Sequence, residues 1–225
     1  MKLGRLIFIT FLGLLSMDAI AQTESIKFSP LDIKPVDQDD IWSVDFAPVV
    51  WLQNSVAPSA RKFSYSTGLA YHYEFNFSQE KRFSIALGLG YHFTQLNHGG
   101  LFFNDSTNQT SWSRPLPTDD FSFSRLNLHR INLPLEFRVK TKKEVKVYFG
   151  YQSSFIVVSK NKSKVNSEEI SFTNFESLQF FQHGPRLRIG YKDVFLYSNF
   201  YLSSLFKNRS NLSMQLVEFG ISLGG

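Results

Sequence analysis

Between Phe63 and Phe77 the chain alternates strictly. Phe63, Tyr65, Thr67, Leu69, Tyr71, Tyr73, Phe75 and Phe77 fall on one parity, and Ser64, Ser66, Gly68, Ala70, His72, Glu74 and Asn76 on the other. A period of two puts each set on one side of an extended strand, whereas a helix turning every 3.6 residues gathers neither set on one stripe. The next segment repeats the arrangement, with Phe83, Ile85, Leu87, Leu89, Tyr91 and Phe93 facing Ser84, Ala86, Gly88, Gly90, His92 and Thr94. Weaker alternation marks further strands over 41–52, 124–140, 144–158, 174–191, 194–204 and 212–223. Apolar parity changes between Leu128 and Ile131, and again between Phe180 and Leu187 beside His183-Gly184-Pro185, so a bulge or kink is expected in each of those two strands.

The links between these segments alternate in length. Ser78 to Lys81, Thr141 to Lys143 and Lys192-Asp193 are short enough for hairpin turns. Asn54 to Arg61, Asn97 to Phe123, Ser159 to Thr173 and Ser204 to Asn211 are longer. Short turns at one end and long loops at the other match the up-and-down barrels of bacterial outer membranes, with the turns and both termini in the periplasm.

A soluble barrel such as a lipocalin also has one apolar and one polar face. The second face separates the two, because a water-facing surface normally carries many charged residues. Here the second strand offers only Glu74 on that face and the third no charge at all. Gly, Ala and Ser suit the crowded inside of a narrow barrel, which leaves the bulky Phe, Tyr, Ile and Leu side chains for lipid. Phe, Trp and Tyr make up 16% of the chain, with 24 Phe, and no later segment is apolar enough for a spanning helix. Hydrocarbon tolerates no unpaired strand edge, so the first and last strands are expected to pair. Trp42, Trp51, Tyr65, Tyr91, Tyr151 and Tyr191 lie near strand ends and are candidates for interfacial girdles.

The N-terminus has the layout of a secretory signal: Lys2 and Arg5, an apolar run from Leu6 to Leu15, and Ala19-Ile20-Ala21 as a cleavage site. The competing reading, an uncleaved anchor helix, needs a longer apolar run. Cleavage removes Lys2, Arg5 and Asp18, so the formal charge of +5 becomes +4. The remaining Lys and Arg residues are scattered apart from Lys140 to Lys143 and Lys160 to Lys164, which read as solvated loops and suggest no nucleic-acid partner. The chain has no Cys, which excludes a lipidated N-terminal cysteine and a disulfide framework. The expected organisation is therefore a signal peptide over 1–21, a periplasmic leader over 22–40 and a barrel over 41–225. The fold class is all-β, a transmembrane antiparallel up-and-down β-barrel of about eight strands.

The segment Leu128-His-Arg-Ile-Asn-Leu-Pro-Leu-Glu-Phe-Arg-Val-Lys140, then a short turn and Val147-Tyr-Phe-Gly-Tyr151, resembles the core of PorT-like outer-membrane β-barrel proteins. Leu87-Gly-Leu-Gly-Tyr91 and the signal ending at Ala21-Gln22 are similar to the same group. The resemblance spans nearly the whole mature chain. It implies a barrel without a catalytic signature, and a secretion-associated component as one alternative role.

The five histidines, His72, His92, His98, His129 and His183, form no metal-binding or nucleophile motif. If inward-facing, His72, Glu74 and His92 could form a polar cluster in the lumen. Glu136, Arg138, Lys146, Arg186, Arg188 and Glu218 could reach the same space, where buried charges need partners. A structural polar plug is the expected use of these groups, with no catalytic residues, metal or cofactor. The long link 97–123 holds Asp105, Asp119 and Asp120 and reads as a solvated loop ahead of a calcium or ligand site. Eight strands leave an interior just filled by side chains, which argues against a wide pore. The expected function is non-enzymatic: an envelope-structural or surface-binding barrel acting through extracellular loops. Its expected partners are outer-membrane lipid, the barrel assembly machinery and an unidentified extracellular or periplasmic ligand. An outer-membrane enzyme and a soluble periplasmic ligand-binding barrel are the alternatives.

Overall fold

Alternating side chains become alternating faces in the structure, a computed structural model that describes residues 41–53, 63–77, 82–104, 110–116, 118–173, 177–207 and 213–225. The expected signal peptide and leader lie outside the described residues, as do the links 54–62 and 78–81 and Asp105. The strands are β1 (Trp42–Gln53), β2 (Tyr65–Asn76), β3 (Phe83–Asn97), β4 (Leu101–Asn104), β5 (Thr110–Ser113), β6 (Phe121–Lys140), β7 (Val145–Val165), β8 (Glu168–Thr173), β9 (Phe181–Tyr191), β10 (Val194–Phe200) and β11 (Met214–Gly224). Eight of them, β1, β2, β3, β6, β7, β9, β10 and β11, close into an antiparallel up-and-down barrel in which each pairs with its neighbours in the sequence of the ring. The first and last strands complete it, from Ser43 opposite Gly224 to Gln53 opposite Met214. At the seam, Trp42 N–H donates to Gly225 O at 3.0 Å. Among the described residues every ring strand is paired on both sides, which is the condition for a sheet in hydrocarbon. Outside the ring, β4 and β5 form a hairpin of their own, and β8 extends the sheet beyond β7.

The bulky parity faces outward. Leu69, Phe75, Leu87, Leu89, Leu135, Ile189, Leu196 and Phe219 are exposed, while Ser66, Ala70, Ser84, Ala86 and Thr94 are buried. Among the described residues, no Asp, Glu, Lys or Arg takes an outward position on the ring strands until Arg125 on β6 and Lys160 on β7, at the loop end. On β6 this uncharged band runs from His129 to Val139, which at ~3.3 Å per residue and a tilt of ~40° gives roughly 25 Å of height. Aromatic clusters lie toward both its ends. Toward the turn end Phe83 stacks on Phe137, which meets Phe149 at a tilt. Toward the loop end Tyr65 packs on Phe63 and Phe93, and Tyr91 and Tyr151 hydrogen-bond outward-facing His129 and His183.

The two expected bulges fall elsewhere. Burial along β6 alternates without a break through Leu128, His129 and Arg130, and the register shift at that level belongs to β7, where Val157 and Val158 both face outward; a second shift lies at the start of β6, between Phe121 and Phe123. The parity of apolar residues changes in β6 for a different reason: Leu126 and Leu128 point into the lumen, which is apolar at that level. On β9 the pairing with β7 runs unbroken past His183, Gly184 and Pro185. The change of face there comes at Phe180 and Phe181, both exposed, at the start of the strand.

Several lengths also differ from expectation. The fifth strand, expected over 144–158, continues to Val165, and the expected loop after it holds the rest of β7 and β8. Ser159, Asn161 and Ser163 face inward there and Lys160, Lys162 and Lys164 outward, so the alternation is present without an apolar face to reveal it. The segment expected as 194–204 ends at Phe200. Beyond it the chain turns into the barrel mouth, burying Tyr201, Leu205 and Phe206.

Candidate functional site

The strands divide the lumen into two storeys. At the loop end Val49, Trp51, Leu96, Phe102, Leu126, Leu128, Ile156, Leu178, Tyr201, Leu205, Phe206, Met214 and Leu216 form one buried apolar cluster. Trp51 is thus a core residue, and its place in an interfacial girdle is corrected: it sits on the inward parity with Asp45, Ala47 and Val49, where the apolar mouth accepts an indole. A bridge between Leu178 and Phe206 joins the two links that fold over this cluster.

Below it lies an ionic network that draws on six strands. Glu136 of β6 is its centre. Arg138 Nε and Nη2 donate to Glu136 Oε2 at 3.0 and 2.9 Å, Arg186 Nε to Oε1 at 3.2 Å, and Arg188 Nη1 to both oxygens at 3.4 Å. Arg138 also reaches Glu74 Oε2 at 2.9 Å, and Lys140 Nζ and Ser84 Oγ hold Glu74 Oε1 at 2.9 and 2.6 Å. Arg186 Nη2 donates to Asp45 Oδ2 at 2.9 Å, and the same oxygen lies 3.5 Å from His92 Nε2. Higher in the lumen, Arg130 is paired with Glu218, whose second oxygen accepts from Asn199 Nδ2 at 2.8 Å. The set so described has five cations, buried Arg130, Arg138, Arg186 and Arg188 with half-buried Lys140, and four buried carboxylates, Asp45, Glu74, Glu136 and Glu218.

Aromatic faces take up part of the remaining positive charge. The Arg188 guanidinium stands 4.4 Å from the Phe195 ring centre and 5.5 Å from that of Tyr148, and Arg138 stands 4.7 Å over Tyr148. Arg130 lies 4.9 Å over Tyr201, where the ionic layer meets the apolar one. Planar guanidinium groups suit this setting, because one group can fork to two carboxylates and still stack on a ring.

Of the residues singled out in the sequence, Glu74, Glu136, Arg138, Arg186 and Arg188 meet in this network, and His92 adjoins it through Asp45. His72 is buried but lies 3.1 Å from Ser43 Oγ, with no hydrogen bond to Glu74. Glu218 pairs with Arg130, whereas Lys146 sits at the turn-end rim, 4.0 Å from Asp193. Asp45 and Arg130 went unremarked in the sequence, and Lys140, read there as part of a solvated turn, is corrected: it is the last residue of β6 and its ammonium group lies on Glu74. Asp45 had a usable signal, being opposite in parity to Val44 and Phe46; Arg130 was concealed by the parity change beside it. Asp119 accepts from Leu116 N–H at 2.8 Å within its own turn, and no group of three or more metal-ligating residues occurs among the described residues.

Small residues make room for the buried rings. A Cβ on Gly68 would fall 2.3 Å from the His92 ring, and one on Gly88 2.6 Å from Pro134 Cγ and 2.8 Å from His72 Nδ1. His92 is buried, so its ring has to shift within the lumen to admit a methyl group at position 68. Gly68→Ala is therefore expected to destabilise the barrel by about 1–3 kcal/mol, seen as a lower urea midpoint for unfolding, while Thr67→Val on the outward side changes the unfolding free energy by no more than about 0.5 kcal/mol.

No protein-family model and no curated protein matches the chain. Among solved structures, one match is the crystal structure of Ail, the attachment invasion locus protein of Yersinia pestis. It has 12% sequence identity and a TM-score of 0.43, and covers 82% of this chain and 96% of that one.

Proposed function

We propose that this chain is a non-enzymatic outer-membrane protein, exported by its N-terminal signal, with the short turns in the periplasm and the long links at the cell surface. The observation that carries this reading is the outward band: closed strands, bulky apolar side chains and no formal charge over roughly 25 Å, the height of the apolar belt on such barrels. An eight-stranded ring covered in this way has no reason to be soluble, since exposing that band to water costs about 25 cal/mol per Å². The lumen favours a structural or surface-binding role over transport. Its ionic storey is cross-linked by Glu136 and its mouth is filled by Trp51, Phe102 and Phe206. The same cross-linking argues against an enzyme, because the carboxylates that could act as acid or base are held by guanidinium groups. Within the outer-membrane class, the 128–151 segment supports a place among PorT-like barrels, with lipid and the assembly machinery as obligatory partners and an extracellular ligand met by the loop end.

The test is fractionation of the full chain expressed in a Gram-negative host. The protein is expected in the outer-membrane fraction, resistant to alkaline extraction, released by detergent and migrating faster on gels before boiling than after. Recovery in the periplasmic supernatant without detergent would exclude the reading.

A further inference from the structure

Above the uncharged band, β6, β7 and β8 continue as a three-stranded sheet whose outward side is basic. Lys160, Lys162 and Lys164 recur on that side at intervals of about 7 Å, and Arg125 on β6 is the register partner of Lys162. The first of them follows directly on Val157 and Val158, the last outward apolar pair on β7. Glu169 of β8 faces the same way as the register partner of Lys164, and accepts from Lys162 Nζ at 3.0 Å. The inward side of the sheet is tied down without charge. Ser124 and Ser163 hydroxyls lie 2.6 Å apart, and His98 Nε2 lies 3.2 Å from Asn161 Oδ1. The positions of the four cations are therefore set by a fixed ladder.

We propose that this outward face binds the phosphate groups of lipid head-groups in the leaflet at the loop end, through Arg125, Lys160, Lys162 and Lys164. The proposal rests on the membrane reading above, and placement selects the ligand. A lipid whose chains lie against Leu133, Phe155 and Val157 brings its head-group to the level of Lys160 and Lys162, with no change in the protein. Long cationic side chains on such a boundary lay their stems on apolar surface and hold their charge at the head-group level. Lysines supply point charges to phosphate and arginine adds a fork. A free anion would gain nothing from the apolar surface beneath.

The test uses the full mature chain folded in uncharged maltoside micelles. It is titrated with a bis-phosphorylated glucosamine-based lipid A, with the same lipid stripped of its phosphates, and with inorganic phosphate. The phosphorylated lipid is expected to bind at least about tenfold more tightly than the stripped one, given that each surface cation contributes about fivefold, and to weaken as salt is raised. Inorganic phosphate is not expected to compete. Replacing Arg125, Lys160, Lys162 and Lys164 together by Gln should abolish the preference. Glu169→Gln removes the neighbouring carboxylate and should strengthen binding severalfold; it and Lys162→Gln alone keep the test decisive if the fourfold variant does not fold. Equal binding of the two lipids by correctly folded barrel would overturn the proposal, and so would equal competition by inorganic phosphate. Failure of the membrane reading is seen separately, as a chain that stays in solution without detergent and does not float with vesicles.

Discussion

Replacing Glu136 by glutamine is expected to lower the unfolding free energy of the barrel by about 3–5 kcal/mol, the cost of removing one partner from a buried ionic cluster. Glutamine keeps the shape and removes the charge that Arg138, Arg186 and Arg188 share. The three arginines lose unequally. Arg138 retains Glu74 and Arg186 retains Asp45, while Arg188 is left with the Ser222 hydroxyl at 3.1 Å and the faces of Phe195 and Tyr148. Arg188→Met in the Glu136→Gln background should therefore recover much of the loss, leaving the double variant within about 1–2 kcal/mol of the original chain, because a buried charge pair exchanged for apolar side chains is often nearly neutral. Urea titration of the temperature-dependent gel shift measures the original chain, each single variant and the double variant. Additive losses in the double variant would show that Arg188 does not depend on Glu136.

The second large effect is expected on the opposite face. Leu135 sits in the middle of the outward band, exposed and flanked in register by Leu87 and Tyr151. Leu135→Arg should cost about 2–4 kcal/mol for folding into vesicles, as a charge placed near the bilayer midplane, whereas Asn127→Arg beside the rim should cost about 0–1 kcal/mol. In water the ranking would vanish, since an exposed arginine on a soluble strand is close to neutral. Measured unfolding free energies in vesicles that do not differ between the two positions would place this face in an aqueous setting.

Most of the ring was legible because its two faces differ in chemistry over the band. On β2 and β3, Phe, Tyr and Leu alternate with Ser, Ala, Gly and His, so parity alone fixes both strands. The rule fails where the inside ceases to be polar. Leu126 and Leu128 are inward and apolar, so apolar parity reverses while the backbone continues straight. It fails again where the outside ceases to be apolar: Ser159 to Val165 alternates lysine with serine and asparagine, which resembles a loop until the pairing with β6 is seen. The bulge at Val157-Val158 is silent, since both valines suit the lipid side. Membership of the ionic cluster followed from the same parity, which set Glu136, Arg138, Arg186 and Arg188 against Phe137, Leu187 and Ile189. The pairings did not follow, because Arg186 and Asp45 lie 141 positions apart and meet only when the ring closes. The plug from the β10–β11 link was hidden for a similar reason, as Leu205 and Phe206 have no local pattern and gain their burial from other strands.

The whole account depends on which side of the ring meets acyl chains, and tryptophan quenching by brominated lipid reads this directly. Two single-tryptophan proteins serve, one with Trp51 as the sole indole and one with all three native tryptophans replaced by Phe and Leu135→Trp added. In vesicles brominated along the acyl chain, the indole at position 135 should lose most of its fluorescence and resist aqueous iodide, while Trp51, inside the mouth, should be little affected by bromine. Strong bromine quenching of Trp51 with none at position 135 would mean that the ring is turned the other way, and ready quenching of position 135 by iodide would mean that no membrane surrounds it.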